Sequence, residues 1–554
     1  MTPQEVATME KSQEPAAVRV PESDNEAEWK PSLHELLILA CLAVISLMVS
    51  LDATILVTSL SAMITALGGT TTQAFWVGTS YLLSSAVTMP YTAALSEIFG
   101  RPVCLLAALS SFALGSIVCC VAKSLLTLLV GRCFQGVGGG GIIILALVIC
   151  TDIVPLRYRA KYYGIIQAAW AIGTCLGPVL GGAFVEHSTW RWIFYLMFPF
   201  CFVGFVSVPW LLTLKPRTSS LKEKLVRIDF TGGVLFIGSS TAFLVALSWG
   251  GSQEPWNSFR TLVPLILGSV GLGTSMVWEG FYAKEPFLRK SLFHCRSSYA
   301  AFAGAFAQGL LLYGQLCYIP FYFLSVRGFS PIRTGIALFP LTFAFIPSSL
   351  VVGSMITRLN RFRWALWIGW LIATTGIGLT LVWDLDTPTA VWVVIGIIVG
   401  VGHGFVLNAQ NFATQAICLP GDEAAAAAMY AFLRSFGMAI GVGIGSTVFQ
   451  NVMLIKLNQL SLPTDIADMS ESYVAVLRTM APSEFKTNIL HAYSYGFRGV
   501  YGFFTGIAGV ATLLSMLIGH FDLNKELETE HRLEGNDFLR RLQGTKKPQQ
   551  DVQD

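Results

Sequence analysis

The feature that most constrains this chain is a succession of long apolar segments. A helix that spans a membrane needs about 20 mostly apolar residues, and the sequence contains fourteen stretches of this kind. They lie near residues 35–60, 74–95, 102–122, 125–150, 162–184, 192–214, 230–249, 261–281, 299–324, 333–355, 365–383, 391–416, 425–449 and 499–520. Because 54% of the residues are hydrophobic and only 12% are charged, one water-soluble core cannot bury this apolar surface. We therefore predict an all-α polytopic membrane protein.

Lysine and arginine are unevenly distributed between alternate loops. If the N-terminus is cytoplasmic, the cytoplasmic loops hold sixteen of these residues and the short outer loops hold five. Cytoplasmic loops carry an excess of positive charge, so both termini are expected in the cytoplasm and the number of spans is even. The two apolar segments between 230 and 281, with Trp249 and Trp256 at the turn between them, favour fourteen spans over twelve.

An internal repeat divides the spans into two halves and an insertion. Glycines recur at spacing four in the fifth span and again in the thirteenth, where they are Gly437, Gly441 and Gly445. Paired six-helix halves are typical of carriers whose binding site lies at mid-membrane between the halves. The first eight spans then comprise one six-helix bundle at 33–215 and two inserted helices with flanking cytoplasmic loops at 216–298.

The remaining segments follow from the same division. A second six-helix bundle is expected at 299–520, and it includes an extracellular loop at 450–498. The amphipathic stretch from Tyr473 to Ile489 in this loop is either an interfacial helix or a lid. Residues 1–32 are acidic and polar, which is typical of a disordered cytoplasmic tail, and 521–554 form a second, charged cytoplasmic tail.

Two ionisable residues in the first half are candidates for proton coupling. Asp52 lies about eight residues from the outer end of the first span, and Arg132 about seven residues from the outer end of the fourth. Their equal depth suggests a facing pair. Ionisable groups inside a bilayer are costly unless they are paired, and a neighbouring cation tunes the pKa of a carboxylate. Either the pair handles a coupling proton or it is a static ion pair between the two helices.

Polar residues in the second half are candidates for substrate binding. His403 lies near mid-depth and either titrates, contacts substrate or packs as a hydrogen-bonded side chain. Arg434, about ten residues into its span, needs a carboxylate, carbonyl or water partner. The uncharged polar candidates are Gln308, Tyr313, Gln315, Asn408 and Asn411.

The fifth span has a surface of small residues. Gly173, Gly177 and Gly181 share one face, next to Pro178 and Gly182. Small residues at spacing four let helices approach closely, and proline can bend a helix. Such a face suits a moving contact between the halves. The alternative is plain tight packing, and the two can hold together.

The first five spans contain four short motifs that are characteristic of one family of carriers. The first-span signature is Leu51-Asp52-Ala53-Thr54-Ile55, and the loop motif between spans two and three is AALSEIFGRPVCL from Ala93, which includes the gating-loop residues Glu97, Gly100 and Arg101. LLVGRCFQG from Leu128 resembles the motif whose arginine, here Arg132, is linked to proton transfer, and GTCLGPVLGG from Gly173 resembles the antiporter motif. Together these motifs resemble those of the major facilitator superfamily and, within it, of the fourteen-span drug:proton antiporters. Residues Ala93, Glu97 and Pro102 depart from that family's loop pattern.

The resemblance implies a major facilitator fold and proton-coupled efflux of drugs, toxins or secondary metabolites across the cell membrane, as in fungal exporters. An importer or a vacuolar carrier of siderophores, amino acids or sugars is the alternative on the same fold. No nucleotide loop, metal-type Cys/His spacing or nucleophile motif stands out in the sequence, so we do not expect an enzyme, a metal or a cofactor beyond the proton gradient. The expected partners are the bilayer, protons and a small organic substrate, not nucleic acid, and the protein is expected to be a monomer.

Overall fold

The computed structural model describes residues 31–68, 71–212, 220–250, 254–283, 286–521 and 523. Within these ranges the chain is helical and forms no β-strand. Fourteen long helical segments, numbered α1 to α14, correspond to the predicted spans. In order they are Leu33–Leu67, Thr71–Phe99, Arg101–Cys120, Leu125–Ile153, Leu156–His187, Trp192–Leu211, Phe230–Trp249, Phe259–Phe281, Arg296–Ser325, Ile332–Leu359, Arg363–Val382, Thr389–Ile417, Glu423–Gln459 and Glu484–Met516. The predicted all-helical membrane fold is confirmed.

One of these segments is less apolar than the others. Thirteen are long and apolar enough to cross a membrane, and α2 is the fourteenth. It has 29 residues, so its length of about 43 Å suffices for a span. It packs against α4 and α13, between the two halves, where its hydroxyl groups are shielded from lipid. Ser84 and Thr88 donate to backbone carbonyls one turn earlier, over 2.6 and 2.8 Å, which lowers the cost of burying them.

The packing of the first six helices is repeated in the last six. In the first half α1 packs along α5, and α4 contacts both α2 and α3. In the second half α9 packs along α13, and α12 contacts both α10 and α11. The main contacts between the halves follow the same repeat. α5 packs on α10, and α13, which corresponds to α5, packs on α2, which corresponds to α10. The inserted helices α7 and α8 pair with each other, and α7 leans on α2 and α13.

The loop predicted at 450–498 is much shorter in the structure. α13 continues to Gln459 and α14 begins at Glu484, which leaves a connection of only 460–483. The extended ends pack on each other through aromatic rings: Phe449 lies 4.7 Å from Phe497 and 5.8 Å from Tyr493 between ring centroids. Hydropathy stops at the lipid boundary, whereas these helices continue beyond it because they stabilise each other. For a similar reason α9 begins at Arg296, three residues before the predicted second bundle.

The amphipathic stretch predicted from Tyr473 to Ile489 is also divided. Ser470–Thr479 is a separate short helix, and the chain then breaks at Pro482 before α14. The hydroxyl of Ser483 accepts a hydrogen bond from the backbone N–H of Lys486 over 3.2 Å, so a proline and an N-cap mark this break.

At the other end of the chain α1 begins where the predicted tail ends, with Ser32 and Glu35 forming a capping box. Almost all of the two predicted tails, 1–32 and 521–554, lies outside the described residues.

Candidate functional site

The first half contains a fully buried ion pair. Arg132 Nη1 in α4 donates to Asp52 Oδ2 in α1 over 2.7 Å, and the two side chains are 1% and 0% exposed. Gln135 accepts from the same guanidinium over 2.8 Å and donates to the second Asp52 oxygen over 3.3 Å. The two side chains that the sequence placed at equal depth are thus in contact. Sequence analysis missed Gln135, although its position one turn after Arg132 put it on the same helix face.

Further groups hold the pair in place without carrying charge. Arg132 Nε donates to the carbonyl of Val77 over 3.2 Å, and its guanidinium lies 4.4 Å from the centre of the Tyr81 ring. Gln135 also donates to the hydroxyl of Ser116 over 2.8 Å. Arg132 therefore keeps neutral contacts on several sides that do not depend on the charge of Asp52.

The glycine face of α5 packs within the first half. A Cβ on Gly173 would overlap the hydroxyl of Ser50 in α1, and a Cβ on Gly177 would overlap that of Thr54. At Gly173 and Gly177 the structure therefore shows tight packing inside the first half and not a contact between the halves. Their close approach fixes α5 against the helix that carries Asp52.

The contact between halves is made by other residues of the same motif. A Cβ on Gly182 would lie 3.2 Å from Ile332 in α10, and one on Gly335 would lie 3.5 Å from Pro178. Gly181 is buried on α5. The motif thus serves two surfaces: some of its residues join α5 to α1, and others meet α10 in the second half.

A charge network lies at the N-terminal face, the end of the bundle at which α1 begins. Arg101 donates to Asp152 at the end of α4 over 3.0 Å and to the hydroxyl of Ser96 over 2.6 Å. Gly100 precedes α3 with a φ of 98°, a conformation that strongly favours glycine. Although the sequence placed Arg101 in a loop, its side chain is buried because it joins α3 to α4.

A second part of this network crosses between the halves. Arg289, in the connection after α8, donates to Glu97 in α2 over 2.8 Å and to Asp422 before α13 over 2.7 Å. Glu279 near the end of α8 accepts from the backbone N–H of Phe287 over 2.9 Å, which positions this connection. Sequence analysis named Glu97 but not its partners, because nothing in a single chain shows which distant charges meet. A cavity of about 980 Å³ opens beside the network.

The candidate residues of the second half form two groups at different depths. His403 Nε2 lies 2.6 Å from Gln315 Oε1, and the hydroxyl of Tyr430 donates to Gln308 over 3.0 Å. Tyr313 is buried nearby against Leu407 and Met438. The two hydrogen-bonded pairs join helices within the second half at mid-depth, whereas Tyr313 lies beside the first half.

Asn408 and Asn411 belong instead to the contact between halves near the N-terminal face. Asn408 donates to the carbonyls of Ala160 in α5 and Ser349 in α10, over 2.9 and 3.0 Å. Asn411 accepts from Gln415 over 3.0 Å, and Gln415 in turn accepts from Arg159 over 3.1 Å. These contacts close the halves against each other, which sequence analysis did not foresee.

Arg434 is the buried cation whose surroundings differ most from those of Arg132. It is 4% exposed, and no carboxylate of the described residues lies within ion-pair distance of it. Its guanidinium lies 5.8 Å from the centre of the Trp170 ring in α5 and 6.0 Å from that of Tyr430. Its Nε has no hydrogen-bond partner among the described residues. Arg434 therefore lies between the halves without a counter-charge from the part of the chain that the structure describes.

Comparison with known proteins places this arrangement in a family. Residues 42–442 match the Major Facilitator Superfamily. The chain is 38% identical to the MFS transporter L2 of Phoma sp. over 92% of this chain and 86% of that protein. It is 34% identical to the MFS-type efflux pump LUC4 of Fusarium sp. over 93% of both. It is 33% identical to the efflux pump FUS6 of Gibberella moniliformis over 94% of both.

The chain belongs to the major facilitator superfamily. It is a multi-pass membrane transporter of small molecules rather than an enzyme, as the sequence predicted. A likeness to the crystal structure of the human organic anion transporter MFSD10 shows the shared fold alone, with a TM-score of 0.51 and 14% identity over 88% of this chain and all of that one.

The structure holds this major facilitator transporter in a closed arrangement. α5 and α10 touch near both ends, at Ala160 with Gly353 and at Gly182 with Ile332. Between these contacts, a void lined by Thr54, Pro178 and Tyr313 measures about 30 Å³. That volume admits about two water molecules, far less than the roughly 300 Å³ of a small-molecule pocket. Binding a substrate at this depth therefore requires the halves to move.

Proposed function

We propose that this transporter exports small organic molecules, such as toxins or secondary metabolites, in exchange for protons. The observation that carries the proposal is the Asp52–Arg132–Gln135 cluster. In it a fully buried carboxylate on α1, the helix that packs along α5, is paired with a cation on α4. The printed names of the relatives LUC4 and FUS6 describe efflux pumps, which supports the outward direction.

In the proposed cycle Asp52 binds and releases the coupling proton. When Asp52 is ionised, Arg132 and Gln135 satisfy both of its oxygens. When it is protonated, the charge attraction to Arg132 is lost, while the Val77 carbonyl and the Tyr81 ring still hold the guanidinium. The change in charge thus acts mainly on α1, which carries Asp52. Because α1 packs closely on α5, a shift of α1 alters the contact of α5 with α10.

The network at the N-terminal face acts as the gate on that side. Arg289 bridges the first half and the start of α13. It must therefore release Glu97 or Asp422 before the large cavity can open toward the closed region between α5 and α10. Both ion pairs are partly exposed to solvent, so each is worth about 1 kcal/mol or less and can break during a transport cycle.

The orientation forms part of the proposal. The excess of lysine and arginine in the loops of the N-terminal face assigns that face, and both termini, to the cytoplasm. We further propose that the transporter lies in the cell membrane, so that in this orientation the cavity faces the cytoplasm.

Transport into inside-out membrane vesicles tests the proposal. Vesicles with an acidic lumen should accumulate substrates from a metabolite panel, and a proton uncoupler should abolish the accumulation. Asp52→Asn should do the same while the protein remains folded and inserted, whereas Asp465→Asn, at an exposed position between α13 and α14, should transport normally. Accumulation that resists the uncoupler contradicts proton coupling, and uptake only into right-side-out vesicles would indicate an importer.

A further inference from the structure

We propose that the substrates of this transporter are organic anions, and that Arg434 binds their acidic group with Trp170 packed beside it. This inference rests on the proposed export function and adds the charge class of the substrate. It follows from an unmatched cation and unmatched donors at one place between the halves.

Arg434 lies where a substrate-binding residue is expected, and it does not lie where a structural ion pair would. It lies eleven residues after the start of α13 at Glu423, which at about 1.5 Å per residue puts it roughly 16 Å along the helix, near the middle of a bilayer. The backbone there is closely packed, because a Cβ on Gly309 in α9 would overlap the carbonyl of Arg434. With the backbone fixed against α9, the side chain extends toward Trp170 in α5 of the other half.

The described residues leave the charge of Arg434 uncompensated. Its neighbours are aromatic, namely Trp170 and Tyr430, and the Tyr430 hydroxyl that interacts with it is uncharged. Cation–π contacts offset part of the cost of burial, but a buried charge without a counter-charge remains unfavourable by several kcal/mol. Arg132 shows the alternative in the same molecule, since its carboxylate partner lies 2.7 Å away. A ligand that carries a negative charge would compensate the positive charge of Arg434.

The unpaired hydrogen-bonding groups around Arg434 have the matching polarity. The Nε of Arg434 and the indole Nε1 of Trp170 are buried and have no hydrogen-bond partner in the part of the chain that the structure describes. Both atoms can only donate, so their demand for an acceptor does not depend on how any amide is oriented. Gln308 in α9, which accepts from the Tyr430 hydroxyl, also has a buried amide nitrogen without a hydrogen-bond partner among the described residues. A carboxylate or a similar oxyanion accepts from several donors at once, and the aromatic rings suit an apolar body attached to it.

An equilibrium binding measurement tests this inference without a proton gradient. The full-length transporter in lipid nanodiscs is titrated with a panel of hydrophobic carboxylic acids of graded size, each beside its uncharged primary amide. Binding is measured by the rise in unfolding temperature. For acids that fit, we expect affinity about tenfold or more above that of the amide, since a charge-assisted hydrogen bond at a buried site is worth that much. If no acid binds more tightly than its amide, the inference is wrong.

Variants then assign the preference to Arg434. Arg434→Gln should bring acid and amide to similar affinity by weakening the acid, and Arg434→Lys should retain part of the preference. Trp170→Phe, which keeps a ring but loses the indole N–H, should weaken the acids a few-fold. Arg260→Gln removes an exposed arginine that pairs with Glu254 in a loop, and it should change nothing. An undiminished preference for acids in Arg434→Gln overturns the assignment, and if that variant does not fold, Arg434→Lys decides.

The outcome is separable from that of the proposed function. Proton-dependent export with equal binding of acids and amides leaves the export proposal intact and removes the anion inference. If the preference for acids depends on Arg434 but transport does not respond to the proton gradient, the anion inference stands and proton-coupled export is wrong.

Discussion

Arg132 in the first half and Arg434 in the second are both buried, and they differ in what compensates their charge. Arg132 has a carboxylate, a glutamine and a backbone carbonyl around it, all from the first half. Arg434 has aromatic rings and unpaired donors, and Trp170 beside it belongs to the other half. Because the charges of Arg132 and Asp52 are paired inside one half, Asp52 can gain or lose a proton without contact between this pair and the substrate. A charge left unsatisfied between the halves is available to a ligand.

The largest expected effect separates the two arginines by stability. Arg132→Met leaves Asp52 buried without its cation and should lower the free energy of unfolding by about 3–5 kcal/mol. Arg434→Met removes a charge that has no counter-charge, so the empty protein should be as stable as wild type or more stable. Thermal unfolding of both variants in the same lipid, without added substrate, makes the comparison. Equal losses of stability would show that Arg434 has a structural partner.

A second test compares two glycines of the motif in α5. Gly177→Ala places a Cβ against Thr54 and 3.0 Å from the backbone nitrogen of Ile55, and should cost about 1–3 kcal/mol because the helices must separate. Gly182→Ala meets only the flexible side chain of Ile332 at 3.2 Å, so it should fold normally and alter transport rate instead. Expression level with thermal unfolding, and initial transport rate, distinguish the two effects. Similar behaviour of both variants would contradict the division of this motif between two surfaces.

A third, smaller effect concerns the gate. Arg289→Gln removes both ion pairs that join Glu97 and Asp422, and should favour opening of the N-terminal face by roughly fivefold. The measure is the rate at which a thiol reagent labels Ala424→Cys in the large cavity, after subtraction of labelling in the same protein without that cysteine. Lys290→Gln, the neighbouring positive charge, is the matched control. Unchanged labelling in Arg289→Gln would mean that this bridge does not hold the face closed.

The smallest effect is expected at the opposite face, where Asp384 pairs with Arg498 over 2.8 Å inside the second half. Burial raises the pKa of the Asp384 carboxyl, but the Leu385 N–H, the Ser494 hydroxyl and Arg498 lower it more, so the net pKa is below its usual value. A depressed pKa stabilises the fold above the unfolded pKa, and that contribution is lost as pH falls through the folded pKa.

Asp384→Asn should therefore cost at most about 1 kcal/mol at neutral pH, since the pair is exposed. The difference from wild type should vanish in acid. Transport should not change, because this pair does not cross between the halves. Unfolding curves at neutral and acidic pH provide the measurement, and a transport defect in this variant would show that the opposite face is also gated here.

Hydropathy and charge predicted the spans well, because lipid imposes a simple length and polarity requirement on each helix. Hydropathy did not predict where helices extend beyond the lipid. The extended ends of α13 and α14 are stabilised by contacts between rings such as Phe449 and Phe497. Depth along a helix predicted that Asp52 and Arg132 would face each other. The rotation of each helix could not be predicted, and for that reason the sequence did not show that Gly173 and Gly177 face α1 whereas Gly182 meets α10.

Partners that are distant in the chain were also beyond the reach of the sequence. Glu97 and Arg289 are separated by 192 positions, and no periodic pattern connects them. That none of the described carboxylates lies beside Arg434 could be recognised only after the fold had brought α5, α9 and α13 together. The residue itself was identified by the cost of its charge inside the membrane.

The central claim is that Asp52 carries the coupling proton, and proton movement in proteoliposomes tests it most directly. A pH-sensitive dye trapped inside reports proton flux when a transported substrate is added, and exchange of labelled for unlabelled substrate reports translocation without net proton flow. We predict that Asp52→Asn abolishes the substrate-driven pH change and retains the exchange. A pH change of wild-type size in Asp52→Asn would contradict the account.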